Sequence, residues 1–519
     1  MAIGSLSLLL HAHLPYIRHP ELNHAIEEDW LFEAISNCYL PLIEMLERLQ
    51  ADGIRTPICL SISPTLASML GDSLLQGRYF SYLERQLVLA ESLLGSQSTL
   101  DREAKSRLRW YSKRIEQTLN GYQQRQGNLL GALKTLADSG AVELITTAAT
   151  HPLLPLLQGH PEAISQQLKV AAASHRDTFG QEPTGFWLPE CGYDPALRPM
   201  LAAAGFEYTV LDASALQEEP EKLHSAVELG EGLVAFTRHD ELSKLVWDSQ
   251  TGYPGHPSYR EFHLDLCHQL TLEQLSPFLP YSEVATPTGF KLHAVSQKGQ
   301  AKAYYDLQAA QAQVAQDAEH FITQLVDQLG REGFNQPTGQ APLFLLPFDA
   351  ELFGHWWFEG IDWLESVLRQ LGSMGRMISC TTPSAHLEQQ PPRSITQASP
   401  STWGVHGDNS TWLNPQTAWI YPLLDQALSR LSTLQAQLND PTPLEQRLFD
   451  HAQRCSMLAQ ASDWPFLIHH RVHAPYAEGR VKSYLARLHH LLDQWEAGEI
   501  VERELEILES LDPIFPHMA

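Results

Sequence analysis

The chain is poor in the features that mark several large protein classes. Its six cysteines (Cys38, Cys59, Cys191, Cys267, Cys380 and Cys455) are scattered with no C-x-x-C pair. Neither a disulfide framework nor a cysteine zinc site is therefore expected, and a reducing compartment fits. Basic residues are outnumbered, 35 Lys and Arg against 61 Asp and Glu, for a formal charge of −26. Such a field repels phosphate backbones and anionic lipid, which argues against nucleic acid or membrane as partners. Long hydrophobic runs are missing too. The stretch Ser5–Leu10 has no basic segment before it and runs straight into His11; it is too short for a signal or a membrane span and reads as a strand, in a protein expected to be cytoplasmic. Phosphate-loop, dinucleotide-fingerprint, nucleophile-elbow and H-E-x-x-H motifs do not occur, so nucleotide, serine-hydrolase and zincin chemistries lose their usual signals.

What the 519 residues do contain is an ordinary globular mixture, 43% apolar and 18% charged, long enough for about two to four domains. Short apolar runs of strand length recur at Leu6–Leu10, Ile58–Ile62, Val142–Thr147, Gly185–Leu188, Tyr208–Leu211, Leu233–Thr237 and Leu343–Phe348. Helical stretches separate them, which is the pattern of a parallel α/β fold, and the number of runs suggests a closed or nearly closed barrel. In that architecture the chemistry collects at the C-terminal ends of the strands. The connection after the second run is far longer than one crossover helix needs and carries helical periodicity at Tyr82–Leu94 and Leu108–Leu136. A helical insertion is expected at about 64–141, and a loop region at 212–300 includes the Gly-, Pro-, Tyr- and His-rich Gly252–Tyr259. The Pro-, Gln- and Ser-rich stretch 388–401 reads as a linker between a barrel at 1–387 and a helical domain at 402–519. Helices are expected there over Thr417–Gln437, Leu444–Gln460 and Tyr476–Leu511.

Twenty-four histidines and 12 tryptophans crowd into a few segments. In TGFWLPECGY (184–193) an apolar strand ends at Glu190, with Trp187 nearby; in PLFLLPFDAELFGHWWFEG (342–360) another ends at Asp349, followed by His355, Trp356 and Trp357. Two carboxylates at strand ends, flanked by aromatic faces, suit glycosidic bond cleavage, where one acid protonates the leaving oxygen and the other attacks or stabilises the anomeric centre. Glu351 and Glu359 compete with Asp349 for the second role. His11 and His13 alternate at the end of the first strand, and His151 follows the third. They are candidate sugar-hydroxyl partners, or ligands of an ion in a metal-dependent deacetylase or amidohydrolase. Tyr253 in the Gly252–Tyr259 loop, Trp403 and Trp412 in STWGVHGDNSTWLN, and Asp463 and Trp464 in ASDWPFLI are candidate walls of a sugar cleft.

In their order along the chain, HAHLPY, ELITTAATH, GFWLPECGY, PFDAELFGHWW and WGVHGDNSTWLN resemble the signature regions of glycoside hydrolase family 57, and within it the bacterial 1,4-α-glucan branching enzymes. The resemblance extends to the helical tail with SDWPFLI. It implies an incomplete (β/α)7 barrel with a C-terminal all-helical domain. It further implies a retaining mechanism on α-1,4-glucans without metal or other cofactor, Glu190 as nucleophile and Asp349 as acid/base. One departure stands out: the stretch Asp212–Gly252, where family members often carry a tyrosine-bearing lid, is compact and has no tyrosine. Branching accompanied by appreciable hydrolysis is therefore expected, with an α-amylase or a 4-α-glucanotransferase as the alternatives.

Overall fold

The computed structural model describes residues 2–95, 98–279, 285–296, 299–335, 341–516 and 518. Residues 1 and 336–340 of the expected barrel, 96–97 of the expected insertion, 280–284 and 297–298 of the expected loop region, and 517 and 519 of the expected helical domain lie outside the described residues. All seven apolar runs form strands, and two more join them: β1 (Gly4–Ala12), β2 (Ile58–Ile62), β3 (Val142–Thr147), β4 (Gly185–Trp187), β5 (Tyr208–Leu211), the added β6 (Val227–Gly230), β7 (Leu233–Thr237), β8 (Leu343–Asp349) and the added β9 (Ile378–Cys380). They form one sheet in the order β6-β7-β5-β4-β3-β2-β1-β8, with β9 added to β1. Every pairing is parallel except β6 with β7. The runs are continuously apolar because both faces are covered. Leu9, Cys59, Ile145 and Leu345 pack inside the barrel, while Leu8, Leu10, Leu60 and Leu144 face the helices.

The ring closes by a few bonds where a full ladder would need many. Arg238, just past β7, bridges to Leu345 of β8, the His239 N–H donates to the Leu345 carbonyl (2.9 Å), and the Leu343 N–H to the His224 carbonyl (2.9 Å). This is an incomplete (β/α)7 barrel, with β6 and β9 as additions that the sequence reading did not include.

The long connection from β2 to β3 is helical: Pro64–Gly71, Ser73–Leu94, Arg102–Gln124 and Leu129–Asp138. Each start is set by a side chain accepting an otherwise unpaired backbone N–H, namely Ser63, Asp72, Asp101 and Asn128. Beyond residue 419 come Ile420–Gln437, Pro443–Ala459, Asp463–His470, Ala474–Ala497 and Glu502–Leu511. The single helix expected over Tyr476–Leu511 is two, because Gly498 takes the left-handed conformation (φ 69°) and ends the first. This tail shares a buried apolar cluster with the barrel, running from Leu10 and Ile17 to Val481 and Leu488.

The 388–401 stretch is tied down along its length. The Thr396 N–H donates to Glu228 O of β6 (2.9 Å) and the Glu228 N–H to Ser394 O (3.0 Å), Ser399 donates to Ala215 O (2.9 Å), and Ser401 pairs with Tyr193 (2.9 and 3.1 Å). Its composition offers little to bury, yet its backbone serves as an extra edge for the barrel. The result is that Trp403 arrives beside the end of β4.

Candidate active site

Register brings the strand ends level, with His11 of β1 opposite Ser61 of β2 and Asp349 of β8, and Thr147 of β3 opposite Trp187 of β4. Just past β4 the chain turns sharply. Glu190 (φ 61°) and Cys191 (φ 48°) are both left-handed, as is His151 (φ 58°) past β3, a conformation that costs a non-glycine residue about 1–2 kcal/mol each. The turn is held by Cys191 N–H to Leu188 O (2.9 Å), Gly192 N–H to Pro189 O (2.9 Å) and Trp403 N–H to Glu190 O (3.0 Å). Strain retained in this way directs the Glu190 side chain into the site.

Its carboxylate accepts two bonds, from the Trp403 Nε1–H at 2.7 Å and the Ser462 hydroxyl at 2.8 Å. These donors also fix the protons of the imidazoles behind them. A carboxylate only accepts, so Ser462 donates to Glu190 and receives from His151 Nδ1 (2.9 Å). His151 Nε2 then accepts from His11 Nε2 (3.0 Å), and His11 Nδ1 accepts from Ser61 Oγ (3.1 Å). The relay requires both histidines neutral, and burial, followed by the neighbouring imidazoles, holds both pKa values well below the ordinary range. His13 stacks on His151 (3.9 Å between ring centroids) and binds Asp463 (Nε2 to Oδ2, 3.1 Å) and Ser63 (Nδ1 to Oγ, 2.8 Å).

Asp349 lines a cleft of about 360 Å³ together with Arg238, Trp247, Trp356, Trp403 and Phe466. Trp356 is 47% exposed, Trp247 51% and Phe466 42%. Three large rings kept wet around one cleft suit the apolar faces of sugars. Burial raises the Asp349 pKa well above the carboxylate range, reinforced by the charges of Glu351, Glu190 and Asp463. Burial also raises that of Glu190, against the two hydrogen bonds it accepts. Of the rivals to Asp349, Glu351 is buried under Tyr39 O–H and His13 N–H, and Glu359 accepts from the Arg260 N–H (3.0 Å). Neither lines the cleft.

Several expected cleft walls are interior instead. Trp357 packs among Tyr259, Phe353 and Trp363, and Tyr253 binds His320 (2.9 Å) beneath it. Trp412 is buried against Gly404, where a Cβ would come within 3.0 Å of the indole. Trp464 donates to Leu458 O (2.8 Å), His355 faces Glu33 (3.6 Å), and Trp187 lies behind the site against His11 and Trp403. Adjacent tryptophans point opposite ways from a turn, so of Trp356 and Trp357 only the first reaches the cleft. Trp247, Phe466 and Arg238 escaped the sequence reading; Trp247 stands in the very stretch where a tyrosine was missed. The ion-ligand trio brought together among the described residues is His13, His151 and Asp463, with ligand atoms within 4.8 Å of one another, and it does not include His11.

Glu351 carries a pH-dependent stability cost. Burial pushes its pKa to about 7 from an ordinary 4.5. Because the folded value is the higher one, its stabilising contribution is full below pH 4.5 and is lost as pH rises through 7. The 2.5-unit difference is worth about 3 kcal/mol. Glu351→Gln should therefore unfold at higher denaturant than the parent at pH 8 and at about the same concentration at pH 4. An equal difference at both pH values would show that ionisation is not the cause.

A model of glycosyl hydrolase family 57 matches residues 7–399, and one of the 1,4-alpha-glucan branching enzyme C-terminal region matches 423–519. A 1,4-alpha-glucan branching enzyme of Thermococcus kodakarensis is 32% identical over 551 residues, covering 99% of this chain and 77% of its own. Among solved structures, the alpha-amylase AmyC from Thermotoga maritima has 33% identity and a TM-score of 0.90, over 99% of this chain and 98% of that one. The branching enzyme of Pyrococcus horikoshii has 30% identity and a TM-score of 0.88, over 100% and 96%. On a match that spans the barrel, the tail and both acid-bearing strands, the chain belongs to glycosyl hydrolase family 57.

Proposed function

We infer that this family 57 enzyme is a retaining 1,4-α-glucan branching enzyme with appreciable hydrolysis. The observation that carries the reading is a pair of unlike carboxyls past two strand ends: Glu190 accepts from Ser462 and from Trp403, a residue that lines the cleft with Asp349, and the Asp349 pKa is raised by burial and by three neighbouring acids, Glu190 among them. Glu190 attacks the anomeric carbon of a bound α-1,4-glucan while Asp349 gives its proton to the departing 4-oxygen. Asp349 then takes the proton of a 6-hydroxyl that attacks the glycosyl-enzyme. Such pairs stand about 5–5.5 Å apart. His11, His13, His151 and Asp463 bind the sugar next to the cut, and Trp356 and Trp403 stack on the chain. The catalytic unit spans 1–387 with an attached helical domain at 402–519. We read the enzyme as cytoplasmic, which its six unpaired cysteines fit, and as serving glycogen synthesis, which its similarity to proteins named 1,4-alpha-glucan branching enzyme supports.

Branching, linear transfer and hydrolysis share the first half-reaction and differ in which hydroxyl attacks next. The similarity to an α-amylase over nearly the whole chain, and the compact Asp212–Gly252 stretch, favour water as a real competitor. With amylose as substrate, proton NMR should show new α-1,6 linkages rising together with new reducing ends. Reducing ends without any α-1,6 signal would make the enzyme an α-amylase, and longer unbranched chains a 4-α-glucanotransferase.

A further inference from the structure

The helix that follows β1 is interrupted by a π-helical turn, Ile35–Tyr39, between α-helical Glu28–Ala34 and Leu40–Ala51. Such widened turns are uncommon and concentrate at functional sites. This one grips the segment that follows Asp349 at three points. The Cys38 thiol donates to the Ala350 carbonyl (3.0 Å), and the Tyr39 hydroxyl donates to Glu351 Oε1. The Asn37 carbonyl lies 1.8 Å from where a Cβ on Gly354 (φ 98°) would sit, so only glycine fits there. Glu351 Oε1 also accepts the His13 N–H at 3.2 Å, which ties the same segment to the end of β1.

We propose that this π-turn is a clamp on the acid/base loop, with Tyr39 and Glu351 as positioning residues that hold the segment behind Asp349 in place for proton donation. The proposal rests on the reading of Asp349 as acid/base. Glu351 stands two residues from Asp349, and after burial its charge is the leading influence against Asp349 ionisation, ahead of Glu190 and Asp463. Arg238 lines the cleft with Asp349; Tyr39, His13 and Cys38 are titratable groups beside Glu351, and Cys191 is another within reach of Asp349. An acid kept protonated by neighbouring charge is what leaving-group protonation requires.

The test compares amylose, whose leaving oxygen needs a proton, with α-maltotriosyl fluoride, whose leaving fluoride does not. Glu351→Gln keeps an oxygen for Tyr39 and His13 but removes the charge. On the basic limb, where the parent's Glu351 is ionised, it should lose up to about tenfold in kcat on amylose, the fold-change of a one-unit shift in the acid. The basic limb of its pH profile should move to lower pH by about one unit, while the initial burst of fluoride stays within about threefold of the parent. Tyr39→Phe, which weakens the charged form of Glu351, should move the limb the same way by less, and it carries the test if the glutamine variant does not fold. An unmoved limb, or equal losses on both substrates, overturns the clamp. Asp349→Asn run in parallel separates the two claims: if it too fails to distinguish amylose from the fluoride, the acid/base assignment falls; if it distinguishes them and Glu351→Gln does not, only the clamp falls.

Discussion

Glu190→Gln should lower turnover of amylose by at least about 10⁴-fold, roughly 5 kcal/mol of transition-state stabilisation. The amide cannot act as the carboxylate nucleophile, so no glycosyl-enzyme forms and branching and hydrolysis fall together. The fold should survive, because glutamine retains one acceptor oxygen for Ser462 or Trp403 and the left-handed turn is held by three backbone bonds that do not involve the side chain. Intact-mass measurement after exposure to a slow 5-fluoro glycosyl fluoride gives a second readout. The parent should gain one sugar, mapped to the peptide bearing Glu190, and the variant none. A variant keeping more than about a hundredth of the parent rate would remove Glu190 from the nucleophile role.

Truncation after Glu388 should leave no soluble, active enzyme, with residual turnover below about a thousandth of the parent. The reason is chemical as well as mechanical. Both donors to the Glu190 carboxylate, Trp403 and Ser462, lie beyond the cut, and so does Asp463, the partner of His13. Removing a charge-assisted donor from a buried carboxylate costs about 1.5–3 kcal/mol per bond, and the shared apolar cluster around Ile17 would be opened to water. The double variant Trp403→Phe with Ser462→Ala isolates the chemical part. It should fold, as judged by an unchanged circular dichroism spectrum, and lose at least about 10²-fold in kcat. A soluble, fully active truncation would show that the helical tail is a separate module.

Much of the scaffold is written in local pattern. Parallel strands buried on both faces must be unbroken apolar runs, so the seven main strands are legible, whereas periodicity alone ran Leu108–Leu136 together across the helix start that Asn128 caps. Acids placed directly after such runs, Glu190 and Asp349, stand out because strand ends are where a parallel barrel exposes its chain. The aromatic segments were less readable. HWW and WGVHGDNSTW mark regions rich in indole, but period and composition do not say which ring turns outward.

From sequence alone, then, came the parallel α/β class, the helical insertion and tail, and the two acids at strand ends, all properties of short windows. Tertiary structure alone decided that Trp356, Trp403, Trp247 and Phe466 face the cleft while Trp357, Trp412 and Trp464 fill the interior. It alone joined Glu190 to donors 213 and 272 residues away and set Tyr39 against Glu351 across 312 residues. The physical reason is range: burial patterns and caps act over a turn or a strand, whereas the protonation and aim of a buried carboxyl depend on whatever distant groups the closed barrel brings within a hydrogen bond of it.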